Sequence, residues 1–152
     1  MDKLAIGSDH GGLELKNKLA RLLEAKSMQV EDVGPYEYDK EDDYPDYAGK
    51  VCNKVDNGKK GILICKSGHG MAIAANKFKG IRASVCWNED SAEKAKKDDD
   101  INVICLPAEM ISANEAAGIV LKWLETPFES IERRTRRLKK IEKIEDKNFK
   151  KG

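Results

Sequence analysis

The ten residues Gly61-Ile62-Leu63-Ile64-Cys65-Lys66-Ser67-Gly68-His69-Gly70 place a short apolar run directly before a glycine-rich segment. Residues 61–65 are typical of a strand buried on both faces, because the run is apolar, short and ended by turn-forming residues. Residues 71–78 then predict a short helix. A strand, a glycine-rich loop and a helix in this order are most of one βαβ unit.

The same alternation continues through the whole chain. Strands are predicted at residues 3–8, 28–33, 61–65, 81–86 and 101–106. Helices are predicted at residues 11–26, 45–57, 71–78 and 89–97, after the capping pair Ser112 and Glu115, and at about 129–149, with a loop at 37–46. This pattern favours an α/β fold in which helices cover both sides of a five-stranded parallel sheet.

Composition limits the classes of protein to consider. The 152 residues suit a single domain, 1–152, and the net charge of +1 argues against a globally basic nucleic-acid binder. No apolar run is long enough to span a membrane, and the first residues show no export pattern, so we expect a cytoplasmic protein without membrane contact. Residues 132–152 carry ten basic and four acidic side chains, which predicts a solvated helix face, an anion clamp or a nucleic-acid patch.

Cysteine spacing argues against a metal site. The four cysteines form no CxxC pair and the chain has two histidines, so neither zinc nor a disulfide is expected. Cys52, Cys86 and Cys105 are interpreted as small buried apolar residues. Cys65 differs because it borders the glycine-rich loop.

The segment from Cys65 to Gly70 has the composition of an anion-binding loop. Ligands of parallel sheets bind at the carboxyl ends of strands, and the first amides of a helix have no intrahelical acceptor. A cysteine in such surroundings can act as a base or nucleophile, and the alternative is an ordinary glycine-rich turn with a buried thiol. A cysteine-dependent phosphatase would need an arginine at position 71, where this chain has Met71, and the glycine spacings for nucleotide loops are absent.

Two further groups could meet a ligand. Asp9 and His10 follow the first strand, where they could orient sugar hydroxyls or bind phosphate, or could be a helix cap beside a surface histidine. Arg133 and Arg137 are four residues apart on one helix face, where they could grip a phosphate or remain a solvated basic face.

Several segments, taken together and in order, resemble a known family. They are Ile6-Gly7-Ser8-Asp9-His10-Gly11-Gly12, Asp43-Tyr44-Pro45-Asp46-Tyr47-Ala48, the loop from Gly61 to Gly70, Ala74-Ala75-Asn76-Lys77 and Gly80-Ile81-Arg82-Ala83. The pattern is similar to ribose-5-phosphate isomerase B, a family that includes the galactose-6-phosphate isomerase subunits. The resemblance implies a three-layer α/β/α Rossmann-like sandwich and a homodimer, possibly a tetramer. It further implies a phosphorylated sugar as substrate, no cofactor, no metal, and a C-terminal helix that reaches the partner's site.

The resemblance also implies roles for individual residues. Cys65 matches the base that moves a proton between C1 and C2 of an open-chain sugar, through an enediolate, and Ser67 matches the hydroxyl beside it. The loop from Lys66 through Gly68 and Gly70 to Met71 matches the anion hole. The remaining substrate-binding matches are Asp9, His10, Tyr44, Arg133 and Arg137.

This chain departs from the family pattern at several positions. Asp98 stands where a histidine opens the sugar ring, Asp99 where an asparagine is usual, and Glu109 where many members carry an arginine. Lys66 replaces a glycine and His69 an apolar residue. His69 or Asp98 is therefore the candidate ring-opening acid. Ribose 5-phosphate is the leading substrate, with a tetrose, allose or galactose phosphate, or binding without catalysis, as alternatives.

Overall fold

The computed structural model describes residues 3–56 and 58–149 and confirms the predicted alternation. The strands are β1 (Lys3–Ser8), β2 (Gln29–Asp32), β3 (Lys59–Cys65), β4 (Ala83–Val85) and β5 (Val103–Pro107). They form one parallel sheet in the order β2-β1-β3-β5-β4. The helices are α1 (Leu13–Glu24), α2 (Tyr44–Cys52), α3 (His69–Ala75), α4 (Glu89–Asp99), α5 (Ala113–Glu125) and α6 (Glu132–Asn148), and a short 3₁₀ turn, His10–Gly12, precedes α1.

The sheet separates two apolar layers. On one side α1 and α5 pack against it, with Leu19 and the fully buried Trp123 in the core. On the other side α2 and α3 contribute Val51 and Met71. The indole N–H of Trp123 donates to the carbonyl of Ile101 over 3.1 Å, which satisfies the one polar group of that side chain. The three-layer α/β/α sandwich is thereby confirmed.

Several helix boundaries differ from the sequence prediction, and those of α2 and α3 matter for the loop after β3. The helix predicted at 45–57 begins at Tyr44, within the predicted loop, because Pro45 occupies its first turn. It ends at Cys52, where Lys54 and Val55 turn back to the carbonyls of Val51 and Cys52, and residue 57 lies outside the described residues. The helix predicted at 71–78 is also displaced.

That second helix, α3, starts at His69 and ends at Ala75. It starts early because Gly68 adopts φ +81, a left-handed conformation that turns the chain from the loop into the helix. The first two positions of α3 therefore belong to the loop that the sequence had singled out.

Helix α6 crosses the edge of the sheet where the strands begin. Its side chains are half-buried or exposed throughout, and polar contacts hold its second half to its own chain. Glu145 accepts the backbone N–H of Gly80 over 2.9 Å, and Asp146 lies 3.0 Å from Lys79. No helix in the described part of the chain has the length and apolar character of a membrane span.

Candidate active site

The carboxyl ends of β1 and β3 lie side by side, where the strand order reverses direction. Ser8 pairs with Ile64 in the register, and the N–H of Asp9 donates to the carbonyl of Ile64 over 3.3 Å. The turn after β1 approaches β3 closely because Gly12 lacks a side chain: a Cβ atom there would lie 2.6 Å from the Ile64 oxygen. Such a reversal point is where open parallel sheets bind ligands.

The thiol of Cys65 lies at this edge, at the last position of β3. Its sulfur accepts the N–H of Gly68 over 3.2 Å, and the residue is 6% exposed. Gly68 is buried, and a Cβ atom there would lie 3.1 Å from Val85. The tight loop therefore brings a main-chain donor directly to the sulfur.

The backbone amides that follow Gly68 are further candidate hydrogen-bond donors in this loop. The N–H of His69 donates to the Ser67 hydroxyl over 3.3 Å. Among the described residues no acceptor is found for the amides of Gly70 and Met71, which lie in the first turn of α3. The side chain of Met71 is fully buried, so only the main chain of this residue can meet a ligand.

Tyr44 closes one side of the loop. A Cβ atom on Gly70 would lie 2.7 Å from the Tyr44 ring, so the ring rests directly on the Gly70 main chain. Tyr44 is 39% exposed at the start of α2. The structure therefore brings this predicted substrate-binding tyrosine to the Cys65 loop.

Asp9 and His10 lie beside the loop, after β1. The Asp9 carboxylate is buried and accepts the N–H of Gly12 over 3.1 Å. Burial raises the pKa of this carboxyl above its ordinary value. The imidazole Nδ1 of His10 lies 2.6 Å from the Oδ1 atom of Asp42.

Lys66 and His69 are both exposed at the rim of the loop. The aliphatic stem of Lys66 passes over Gly11. A Cβ atom on Gly11 would lie 2.6 Å from the Cγ atom of Lys66. The carbonyl of Lys66 accepts the N–H of Glu109 over 3.0 Å. Lys66 and Glu109, two of the charge changes from the family pattern, are thus neighbours.

The remaining predicted residues lie at the opposite edge of the sheet. Asp98 and Asp99 end α4 and precede the start of β5, whose Val103 pairs with Gly61, four residues before Cys65. Four residues of strand span about 13 Å, too far for side-chain contact with the thiol. Asp99 lines a groove of about 460 Å³ beneath α6, away from the thiol.

The Asp98 carboxylate is held by an arginine of its own chain. Asp98 lies 2.9 Å from Arg134, which also lies 3.0 Å from Glu129. The predicted arginines Arg133 and Arg137 are exposed on a neighbouring face of α6, and within residues 3–56 and 58–149 neither has a carboxylate partner.

The other three cysteines behave as the sequence predicted. All four thiols are free. Burial raises the pKa of Cys52 to about 11 and that of Cys86 to about 12, and it raises the pKa of Cys105 well above its ordinary value. These thiols are therefore protonated at neutral pH.

Sequence reasoning missed two residues of this arrangement, Asp42 and Arg134. Asp42 lies in an acidic loop with no distinguishing spacing, and Arg134 is one of four arginines in five positions. Atoms of Asp9, His10 and Asp42 come within 4.8 Å of one another, as metal ligands do. Their hydrogen bonds to one another and to Gly12 already account for this proximity.

Comparison with known proteins agrees with this geometry. The family model described as Ribose/Galactose Isomerase matches residues 4–141. The chain is 42% identical over 138 residues to a probable ribose-5-phosphate isomerase B of Mycoplasma pneumoniae, covering 90% of each chain. It is 39% identical to a D-erythrulose-4-phosphate isomerase of Pectobacterium atrosepticum, covering 85% of this chain and 86% of the relative.

A solved structure matches over almost its whole length. Ribose-5-phosphate isomerase B of Mycoplasma genitalium, crystallised with ribulose-5-phosphate, has a TM-score of 0.91 and 39% identity, covering 96% of this chain and 97% of that one. The resemblance inferred from the motifs is thus confirmed. The chain belongs to the ribose/galactose isomerase family and is an aldose–ketose isomerase.

Proposed function

We propose that this protein interconverts ribose 5-phosphate and ribulose 5-phosphate without a cofactor, with Cys65 as the base. The observation that carries the proposal is the Cys65 sulfur at the carboxyl end of β3, hydrogen-bonded by Gly68 and followed by main-chain amides with no protein acceptor among the described residues. The relatives named ribose-5-phosphate isomerase B support the choice of substrate.

The proposed reaction is a proton transfer between neighbouring carbons. The Cys65 thiolate takes the C2 proton of the open-chain aldose, and the electron pair of that bond forms the C1–C2 double bond while the C1 oxygen becomes an oxyanion. The proton of the C2 hydroxyl passes to the C1 oxyanion, which leaves the negative charge on the C2 oxygen. That oxygen becomes the ketone as C1 takes the proton back from the Cys65 thiol, and Cys65 is a thiolate again. Amide donors of the loop stabilise the negative oxygen.

Ring opening needs an acid, and we assign it to His69. His69 is exposed in the same loop as Cys65, whereas the Asp98 carboxylate is already engaged by Arg134, 2.9 Å away. Replacement of His69 by alanine is expected to slow turnover of the cyclic sugar more than proton exchange of the open-chain form, and Asp98→Asn is the comparison.

We further propose that the working site forms between two copies of the chain. Arg133 and Arg137, the candidate phosphate ligands, cannot reach Cys65 of their own chain, because α6 crosses the other edge of the sheet. Large apolar side chains stand exposed at or near the carboxyl edge: Ile73, Trp87 and Met110. A second copy that covered them could bring its arginines to the phosphate.

A tetrose phosphate is the second candidate substrate. It is favoured by the 39% identical relative named D-erythrulose-4-phosphate isomerase and by Lys66, which places a cation beside the loop. A shorter sugar leaves its phosphate closer to the reacting carbons, where a cation at the loop could meet it.

The decisive experiment is a panel of pentose, tetrose and hexose phosphates assayed with the wild type and with Cys65→Ala. We expect turnover of ribose 5-phosphate and incorporation of solvent deuterium into the sugar. The variant should fold normally and lose roughly 10²- to 10⁴-fold in rate. Turnover of no sugar phosphate by the folded wild type, or full activity of the variant, would overturn the proposal.

A further inference from the structure

We infer that Asp42 is a positioning residue for His10: its carboxylate holds the imidazole with the proton on Nδ1, so that Nε2 is the nitrogen presented to a substrate oxygen. The inference rests on the proposed function, since it concerns the same edge of the sheet. It adds a residue that the family pattern did not lead us to expect, from a loop 32 residues away in sequence.

Asp42 accepts two hydrogen bonds from His10. Its Oδ1 atom lies 2.6 Å from the imidazole Nδ1 and also accepts the backbone N–H of His10 over 3.1 Å. A carboxylate oxygen can only accept a hydrogen bond, so Nδ1 must carry the proton. The second bond fixes the main chain, so both the ring and its attachment are held.

The contact is shielded from water. The Asp42 side chain is 7% exposed and that of His10 is 21% exposed. The second oxygen of Asp42, Oδ2, is buried without a partner among the described residues, so the carboxylate has been desolvated for this contact alone. Burial of a carboxylate is costly, and the short bond to His10 is its main compensation.

The loop that carries Asp42 is itself anchored. The Tyr38 ring meets the His10 ring edge-on, with centroids 5.7 Å apart and planes at 89°. At the start of the loop, Asp32 accepts the N–H of Gly34 over 2.9 Å and pairs with the fully buried Lys16. The His10 imidazole thus lies between the Asp42 carboxylate and the Tyr38 ring. Both belong to a loop whose start is fixed by contacts at the end of β2.

The orientation of the His10 imidazole matters because His10 lies next to β3, the strand that ends at Cys65. Its neighbour Asp9 is bonded to the carbonyl of Ile64, the residue before Cys65. With Nδ1 occupied, a neutral imidazole offers the lone pair of Nε2 to a sugar hydroxyl, and a protonated one offers an N–H to a sugar or phosphate oxygen. In both cases Asp42 decides which nitrogen faces the ligand.

The chain allows a direct test because it has two histidines, His10 and His69. Nitrogen-15 spectra of the imidazoles report the tautomer of each ring, and His69→Gln identifies the signals of His10. In the wild type we expect the proton of His10 on Nδ1. Asp42→Ala should release it to a mixture of tautomers, whereas Asp42→Asn, whose amide oxygen can still accept both N–H groups, should keep it.

Kinetics complete the test. Asp42→Ala is expected to lower kcat/KM by about 10- to 100-fold through misplacement of the ring, with Asp42→Asn within about 3-fold of the wild type. Glu41→Ala, which removes the exposed neighbouring carboxylate, is the control for charge and should behave as the wild type. Thermal unfolding of each variant verifies the fold.

Three results would overturn the inference: an unchanged His10 tautomer in Asp42→Ala, an altered tautomer without a loss of kcat/KM, or an equal loss in Asp42→Asn with the tautomer retained. The tautomer measurement needs no substrate. An enzyme inactive on every sugar would therefore overturn the proposed function while the spectra still decided the role of Asp42.

Discussion

Gly70 lies directly beneath the ring of Tyr44, so that a Cβ atom on Gly70 would come within 2.7 Å of two ring carbons. The loop after β3 and the start of α2 are thus fitted to each other at the candidate site.

The first prediction concerns that contact. Gly70→Ala must displace either the ring or the loop, so kcat/KM is expected to fall about 10- to 100-fold with a loss of stability of about 1–3 kcal/mol. Gly49→Ala in α2 is the matched control, because its Cβ atom would meet Phe78 at an ordinary 3.4 Å. That control should stabilise α2 by about 0.5–1 kcal/mol and leave kcat/KM unchanged. Equal kcat/KM for Gly70→Ala and the wild type would contradict the fit.

The second prediction concerns thiol reactivity. Because burial raises the pKa of Cys52 to about 11 and of Cys86 to about 12, neither forms appreciable thiolate at pH 8. Iodoacetamide at pH 8 should therefore modify the native protein at Cys65 alone, as peptide mass mapping would show. Cys65→Ser should remain unlabelled until the protein is unfolded. Labelling of Cys52 ahead of Cys65 would refute this.

The third prediction concerns pH and stability. The pKa of Asp9 is raised in the folded protein by burial, so ionisation at neutral pH opposes folding. Asp9→Asn keeps an oxygen acceptor for Gly12 and should raise Tm at pH 7, by about 2–4 °C for each 1 kcal/mol gained, while lowering activity. The gain should shrink as the pH falls through the pKa of Asp9, since the wild type is then protonated too. A lower Tm for the variant at pH 7 would show that the charge stabilises the fold.

The fourth prediction tests the proposed site between subunits. Cys65→Ala and Arg137→Ala are each expected to be nearly inactive. When the two are unfolded together in equal amounts and refolded, half of the dimers are hybrids with one intact site, which restores roughly a quarter of the wild-type activity. Each variant refolded alone is the control. A mixture no more active than its components would place both residues in the same subunit's site.

Local chemistry explains why much of the fold could be predicted from the sequence. A central strand of a parallel sheet is buried on both faces, so residues 61–65 had to be apolar and were recognised as such. The loop after Cys65 was recognised for the same reason, because its glycines and its thiol are contiguous.

Contacts between segments that are distant in sequence could not be predicted from local patterns. His10 and Asp42 are 32 residues apart, and nothing in the acidic run 37–46 marks one carboxylate as the partner of an imidazole. The end of α2 at Cys52 was missed for a related reason, since the chain turns back there through local hydrogen bonds that the apolar spacing does not encode.

The order of strands and helices and the chemistry of the Cys65 loop follow from the amino-acid sequence alone, because both depend on neighbours along the chain. Which of the predicted residues meet depends instead on how the strands and helices pack. A helix between parallel strands runs opposite to them, so residues at its end, such as Asp98, lie where the strands begin, and Cys65 lies where a strand ends. That geometry divides the candidate residues between the two edges of one sheet.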